Sequence, residues 1–376
     1  MKNNSAMLIF IMLINFTTYN SCNANGKEKQ ISSILEKDSV MAPYFNALGF
    51  YENDSGIYFY GLRFETIYLY KENAEGHFEL DSYIQLPEQY TAGKDISEVE
   101  QLVFINMDSI IIYHKNNIAL ISTKQDSLLK IFYHSRDDDW FNFIARGNTF
   151  LRWNKKRNTL PVIIFRWDDH DKRTWRGDTE IFAEYSFEKD TFSIFPVKLP
   201  YHPYNTLIGD YSENDPFFAF NGDSFVFGFQ ITPVTYLYNA GSRHMDSLFI
   251  QNSMYVPLPE YDTARIREIS IGNFLHEVIL EHNFYTGIVY DEYNRVYYRF
   301  FNKAMPRKNA EGLLNTMEDK EFGLTVLDTN LQIIGDVSWP WQEHCFIQYP
   351  TSKGLYGYSQ EHRETIIYKR KLIYEE

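Results

Sequence analysis

Cysteine is almost missing from this chain. Its 376 residues hold two, Cys22 and Cys345, so one disulfide at most can form and no cysteine framework staples the fold. Stability must come from an apolar core, and 376 residues are ample for one. Long apolar runs are missing too. The main one, AMLIFIMLINF over Ala6–Phe16, falls well short of the roughly 20 residues that a membrane-spanning helix needs. Positive charge is scarce: Lys and Arg total 36 against 50 Asp and Glu, a net charge of −14. No basic stripe offsets this, which argues against nucleic acid as a partner and against electrostatic docking on anionic lipid. After residue 40 no long stretch repeats its apolar positions with helical period.

Catalytic signatures are also absent. GYSQE at 357–361 lacks the final Gly of a nucleophile elbow. There is no phosphate-cradling Gly-Lys-Ser/Thr loop and no Gly-x-Gly-x-x-Gly dinucleotide turn. The Asp-box of sialidase propellers and a Gly-His/Trp-Asp repeat are missing as well. LHEVILEH at 275–282 fails as a zinc helix, because Leu280 stands where the second imidazole is required. Read as a strand, it puts His276 and His282 on one face about 20 Å apart, too far to share an ion. A calcium loop starting at Asp169 accepts Asp171 but fails at Arg173 and Thr174. Neither a metal nor a cofactor is expected.

The N-terminus supplies an address. Lys2, the Ala6–Phe16 run, and then small and polar residues ending in Ser21–Cys22 form an order that resembles a bacterial lipoprotein signal. The resemblance implies cleavage before Cys22, acylation of that residue and firm membrane anchoring by its acyl chains. Tyr19 and Asn20 depart from the aliphatic and small residues usual there, a looseness seen in Bacteroidota lipoproteins. An ordinary secretory signal with an incidental Cys22 is the plainer alternative. The expected division is a signal peptide over 1–21, a lipidated cysteine and tether over 22–40, and one domain over 41–376. The expected location is the outer membrane, on its periplasmic or cell-surface face. Acylated Cys22 leaves Cys345 without a partner; in WQEHCFIQY it reads as a buried, inert thiol.

The rest of the chain reads as strands. Tyr and Phe number 29 and 30, and such residues suit half-buried pleated surfaces. Strand pairs recur around polar turns at Asn73–Gly76, Asn116–Asn117, Lys124–Ser127, Glu188–Asp190, Asn239–Gly241, Asp291–Asn294 and Asp328–Asn330. Turn centres near 74, 124, 189, 240, 292 and 329 are spaced by 50, 65, 51, 52 and 37 residues. A recurrence near fifty is one four-stranded propeller blade. The long gap holds an insertion at 166–178. The short one suggests two turns of a single blade, split by 303–321, where 309–318 could form a turn or two of helix. The fold expected is an all-β propeller of six blades, or seven; a β-sandwich or two stacked β-domains share this strand spacing. Start, length, hairpin rhythm and pairs such as GIVYDEYNRVYYRFF together resemble exported propeller lipoproteins of Bacteroidota. These include a family defined only as a domain of unknown function, of the TolB-like six-bladed type. That resemblance implies a fold and no catalytic residues.

The richest polar constellation is FRWDDHDKRTWRGD at 165–178. Trp167 and Trp175 could pack on sugar rings, while Asp168, Asp169, His170, Asp171 and Arg176 could bond hydroxyls. A solvated hairpin laced with ion pairs is the simpler reading. SRDDDWFNF at 135–143 reads as a solvated turn, and Trp339 and Trp341 around Pro340 as packing between blades. The functional expectation is a lipid-anchored binding or scaffold module for a glycan or an envelope protein, its ligand over the central channel or on the 166–178 loop. The alternative is a glycan hydrolase or lyase using paired carboxylates.

Overall fold

A computed structural model describes residues 31–40, 44–93, 95–114, 117–133, 142–143, 151–165, 180, 182–198, 216–230, 232–256, 280–340, 348–361 and 364–374. Their strands form six four-stranded antiparallel sheets, the blades of a propeller. Blade 1 holds β2 (Ala47–Asn53), β3 (Gly56–Arg63), β4 (Thr66–Glu72) and β5 (Phe78–Gln85). Blade 2 holds β6 (Val99–Asn106), β7 (Ser109–His114), β8 (Asn117–Ser122) and β9 (Ser127–Tyr133). Blade 3 holds β10 (Asn142–Phe143), β11 (Leu160–Phe165), β12 (Phe182–Ser186) and β13 (Thr191–Ile194). Blade 4 holds β14 (Phe217–Phe220), β15 (Ser224–Gly228), β16 (Val234–Asn239) and β17 (His244–Phe249). Blade 5 holds β18 (Phe284–Asp291), β19 (Val296–Asn302), β20 (Glu321–Leu327) and β21 (Ile333–Pro340).

Blade 6 is composite. It joins β22 (Gln348–Thr351), β23 (Gly354–Glu361) and β24 (Glu364–Tyr374) to β1 (Ile31–Val40), from the other end of the chain. Ile31 lies opposite Tyr374 and Val40 opposite Thr365, and all ten residues of β1 are paired. The domain therefore begins by residue 31, not at residue 41. Ile31–Val40 is part of the ring rather than of a tether, because its backbone satisfies the outer edge of β24.

Burial explains the strand compositions. First strands contact one another around the axis, and the second strands are covered on both faces by neighbouring blades. Hence β15 (SFVFG) and β19 (VYYRFFN) are buried throughout, whereas the outer strand β17 (HMDSLF) is almost wholly exposed. Aromatic rings fill the gaps between blades. Phe182 of blade 3 stacks on Phe225 of blade 4 with centroids 4.6 Å apart and touches Phe218 and Phe227. Each such fully buried ring contributes up to about 3 kcal/mol.

Several local expectations need correction. His114 pairs with Asn117, so Asn117 already belongs to β8, and Asn116 lies outside the described residues. The described end of 275–282 is helical at Leu280–Glu281 rather than extended. A buried side chain caps that helix end: Lys320 Nζ donates to the Leu280 and His282 carbonyls at 3.3 and 3.2 Å. Within 309–318 the Asn309 side chain holds a turn, accepting from Glu311 N and Leu313 N, and a 3-10 turn follows at Met317–Asp319. The turns near 292 and 329 do share one blade, split by residues 303–320. Trp339 is buried between blades 5 and 6, with the Arg370 guanidinium 3.9 Å from its ring centre.

Candidate functional site

Alternating strand direction gives the ring two unlike faces. Turns from first to second strand and from third to fourth strand share one face, here the turn face. Second-to-third turns and blade-to-blade links share the opposite, connection face. Most of the long links leave from the connection face, including β11–β12, β13–β14, β17–β18 and β19–β20.

At the turn face five of the six blades converge on a narrow axial mouth of about 130 Å³. Arg152 crosses it. From blade 3, Nη1 reaches the carbonyl of Tyr290 in blade 5 at 3.1 Å, and Nη2 reaches that of Pro350 in blade 6 at 3.5 Å. Leu151 N donates to Gln101 Oε1 of blade 2 at 3.3 Å, which fixes the segment carrying Arg152. Arg152 also lines a second void of about 10 Å³, against Phe218–Phe220 and Ile288–Tyr290.

Across the mouth, Glu52 at the end of β2 is held by hydrogen bonds. Ser352 N donates to Oε2 at 2.8 Å and Ser352 Oγ donates to Oε1. Tyr293 also bonds Glu52; burial and then the Glu52 charge push its hydroxyl well above the usual range, with Arg152 opposing. Glu292 and Lys155 complete the charged set, so two cations face two carboxylates and the acidity of the chain is not focused here. Deeper in, Tyr60 Oη donates to Leu102 O at 2.8 Å and Tyr349 Oη to Leu48 O at 3.1 Å. Burial pushes both hydroxyls well above the usual range. Gly49 allows this: a Cβ there would collide with both hydroxyls.

A second polar cluster lies between blades 4 and 5. Arg299, Thr325 and Asp336 stand opposite one another on β19, β20 and β21 and so share one face. Arg299 is fully buried. It donates to Pro233 O at 2.7 Å and Thr232 O at 2.8 Å and stacks on Tyr285 at 3.8 Å, with burial lowering its pKa to about 10. Asp336 accepts from Ser253 N and Oγ, and burial raises its carboxyl. Carbonyl acceptors and stacking hold this guanidinium as an interblade lock.

The residues singled out at 165–178, namely Trp167, Asp168, Asp169, His170, Asp171, Trp175 and Arg176, lie outside the described residues. So do Cys22, His276, Trp341 and Cys345. Arg152 and Glu52 carried no sequence signal of a site. LRWNKKRNT reads as a charged loop and YENDSG as a turn, and only ring closure brings them together.

No protein-family model and no curated protein matches the sequence. Among solved structures, a member of the DUF4221 family from Bacteroides vulgatus superposes with a TM-score of 0.66 at 14% identity. The match covers 93% of this chain and 100% of that one. This chain shares that protein's fold. A Bacteroides fragilis protein named as exported follows, with TM-score 0.51 and 11% identity, covering 91% of this chain and 95% of that one. At these identities the likeness concerns the fold. It agrees with the expected resemblance to a Bacteroidota propeller family of uncharacterised role.

Proposed function

We propose that this chain is a lipid-anchored envelope propeller that binds a ligand, a glycan or an envelope protein, without turning it over. The observation that supports binding over catalysis is the state of the charged groups at the axial mouth. Both Glu52 oxygens accept from Ser352, and the Arg152 guanidinium is spread over two backbone carbonyls. A general acid or nucleophile must be free to exchange a proton or attack. Groups fixed in this way position others and shape a rigid recognition surface.

Anchoring through Cys22 is part of the same proposal and rests on the order of the N-terminal residues. Only residues 23–30 separate Cys22 from β1, a span of at most about 28 Å when extended. Ile31 pairs with Tyr374 at the turn-face end of blade 6, so the anchor would draw that face towards the membrane and leave the connection face outward. The test is binding of the intact protein to an array of bacterial and plant oligosaccharides, with Arg152→Ala compared at equal folding. A signal that falls at least tenfold in the variant supports the axial mouth; an unchanged signal removes it.

A further inference from the structure

The connection face carries a second, larger concavity at the junction of blades 1 and 2, an open cleft of about 710 Å³. Phe64 stands at its edge. The β3–β4 hairpin pairs Arg63 with Thr66, so the chain reverses through Phe64 and Glu65 alone. Phe64 has φ of +52°, a conformation that hairpins ordinarily give to Gly, Asn or Asp. Most other left-handed positions differ from it. Asp126, Asn158 and Asp190 are types that tolerate this φ, and Leu331 is repaid by burial at 1% exposure. Arg243 and Arg295, though exposed, carry charged side chains that belong in water. Phe64 has none of these, for it is 70% exposed. The chain holds an aromatic ring in solvent on a backbone that disfavours it, and packing does not account for the choice.

The surroundings define what such a ring could meet. Tyr44, 69% exposed, lines the same cleft. Tyr83, 71% exposed, lies two residues before Gln85 on the same side of β5. Arg63 lies over the Phe64 ring at 5.0 Å. Thr66 Oγ1 donates to Gln85 Oε1 at 2.9 Å, which leaves the amide nitrogen of Gln85 as its donor. Asp95 accepts from Ser97 N and Oγ, bonds that hold its carboxyl below the usual carboxylate range. Aromatic faces alternating with amide, hydroxyl and carboxylate groups match a polyhydroxylated ring, which offers C–H faces and hydroxyl edges. Among the described residues lining the cleft, two carboxylates, Glu65 and Asp95, against one cation, Arg63, disfavour an anionic ligand. The net charge of −14 likewise repels the phosphates of a nucleotide, the other common guest of exposed aromatic rings.

From this, the geometry points to a neutral oligosaccharide-binding cleft on the connection face, with Phe64 as its stacking platform. The cleft is within the usual size range for ligand sites and is remote from the axial mouth, so it does not depend on how that mouth is used. The probe is a set of neutral hexasaccharides (cello-, malto-, manno- and chito-oligomers) titrated by calorimetry and by saturation-transfer NMR against the full mature chain. The expected result is binding of at least one of them, with affinity reduced at least tenfold in both Phe64→Ala and Phe64→Gly. Phe64→Gly also relieves the backbone, so its melting temperature should equal or exceed that of the wild type, which separates lost binding from lost folding. Absence of binding by all four probes overturns the proposal. So does binding that survives both Phe64 variants and disappears only in Arg152→Ala, a result that would leave the axial mouth as the glycan site.

Discussion

Lys353 Nζ donates to Glu72 Oε2 at 2.6 Å, although the two residues stand 281 positions apart. Glu72 ends β4 in blade 1 and Lys353 lies in the β22–β23 turn of blade 6. The same carboxylate accepts from Tyr356 Oη at 2.9 Å and Lys369 Nζ at 3.3 Å. Its side chain is 1% exposed, against 50% for Lys353. The carboxylate is the buried partner, and neutralising it removes the charge shared by the Tyr356 hydroxyl and two ammonium groups, of which Lys369 keeps Glu36 at 3.5 Å. Glu72→Gln should lower unfolding free energy by about 2–3 kcal/mol, and Lys353→Met by less than about 1 kcal/mol. Urea titration checks both; equal effects would contradict the assignment.

Ring closure by β1 predicts a sharp boundary. A chain that starts at residue 31 should melt with the same cooperativity as the mature protein. One that starts at residue 44 loses β1, exposes the edge of the long strand β24 and should aggregate or melt broadly. Size-exclusion chromatography with thermal melts distinguishes the two. Identical melting of both chains would show that β1 is dispensable.

Lys320 should make stability depend on pH. Burial lowers its pKa from 10.5 to about 7. Between those values the unfolded chain holds a proton that the folded chain lacks, so stability rises with pH across that window and is flat below it. The slope reaches about 1.4 kcal/mol per pH unit at most. In Lys320→Met this contribution vanishes. The wild-type-minus-variant difference in unfolding free energy should therefore shift towards the wild type between pH 7 and 9.5. A difference that stays constant over that range would mean that Lys320 is charged in the folded state.

Much of the ring was legible because hairpins announce themselves locally. Asn73–Gly76, Asp291–Asn294 and Asp328–Asn330 carry residues that favour tight turns, and their spacing gives the blade repeat. Elements whose reason for existing is distant were not legible. ISSILEKDSV shows no clean alternation, and it is a strand because β24, over three hundred residues away, offers an open edge. Arg152 looks like loop charge until three blades surround it. Phe64 hides for another reason: its hairpin uses none of the residues that mark a turn, and that very omission between GIYFYGLR and TIYLYKE was the available signal.

The proposed anchor has its own test. Cys22→Ser should move the protein from the membrane pellet to the soluble fraction without altering its melting temperature. A variant that still sediments with membranes would rule out acylation at Cys22.

Binding without turnover is tested most directly by mass spectrometry of a ligand incubated with the protein. Purified bacterial and plant oligosaccharides are held with micromolar mature chain for a day, and the bound and free fractions are weighed. Bound oligosaccharide should be recovered at unchanged mass, with retention lost in the binding-site variants. Shortened or unsaturated products that disappear in Glu52→Gln or Glu292→Gln would contradict binding without turnover and make the axial mouth an active site.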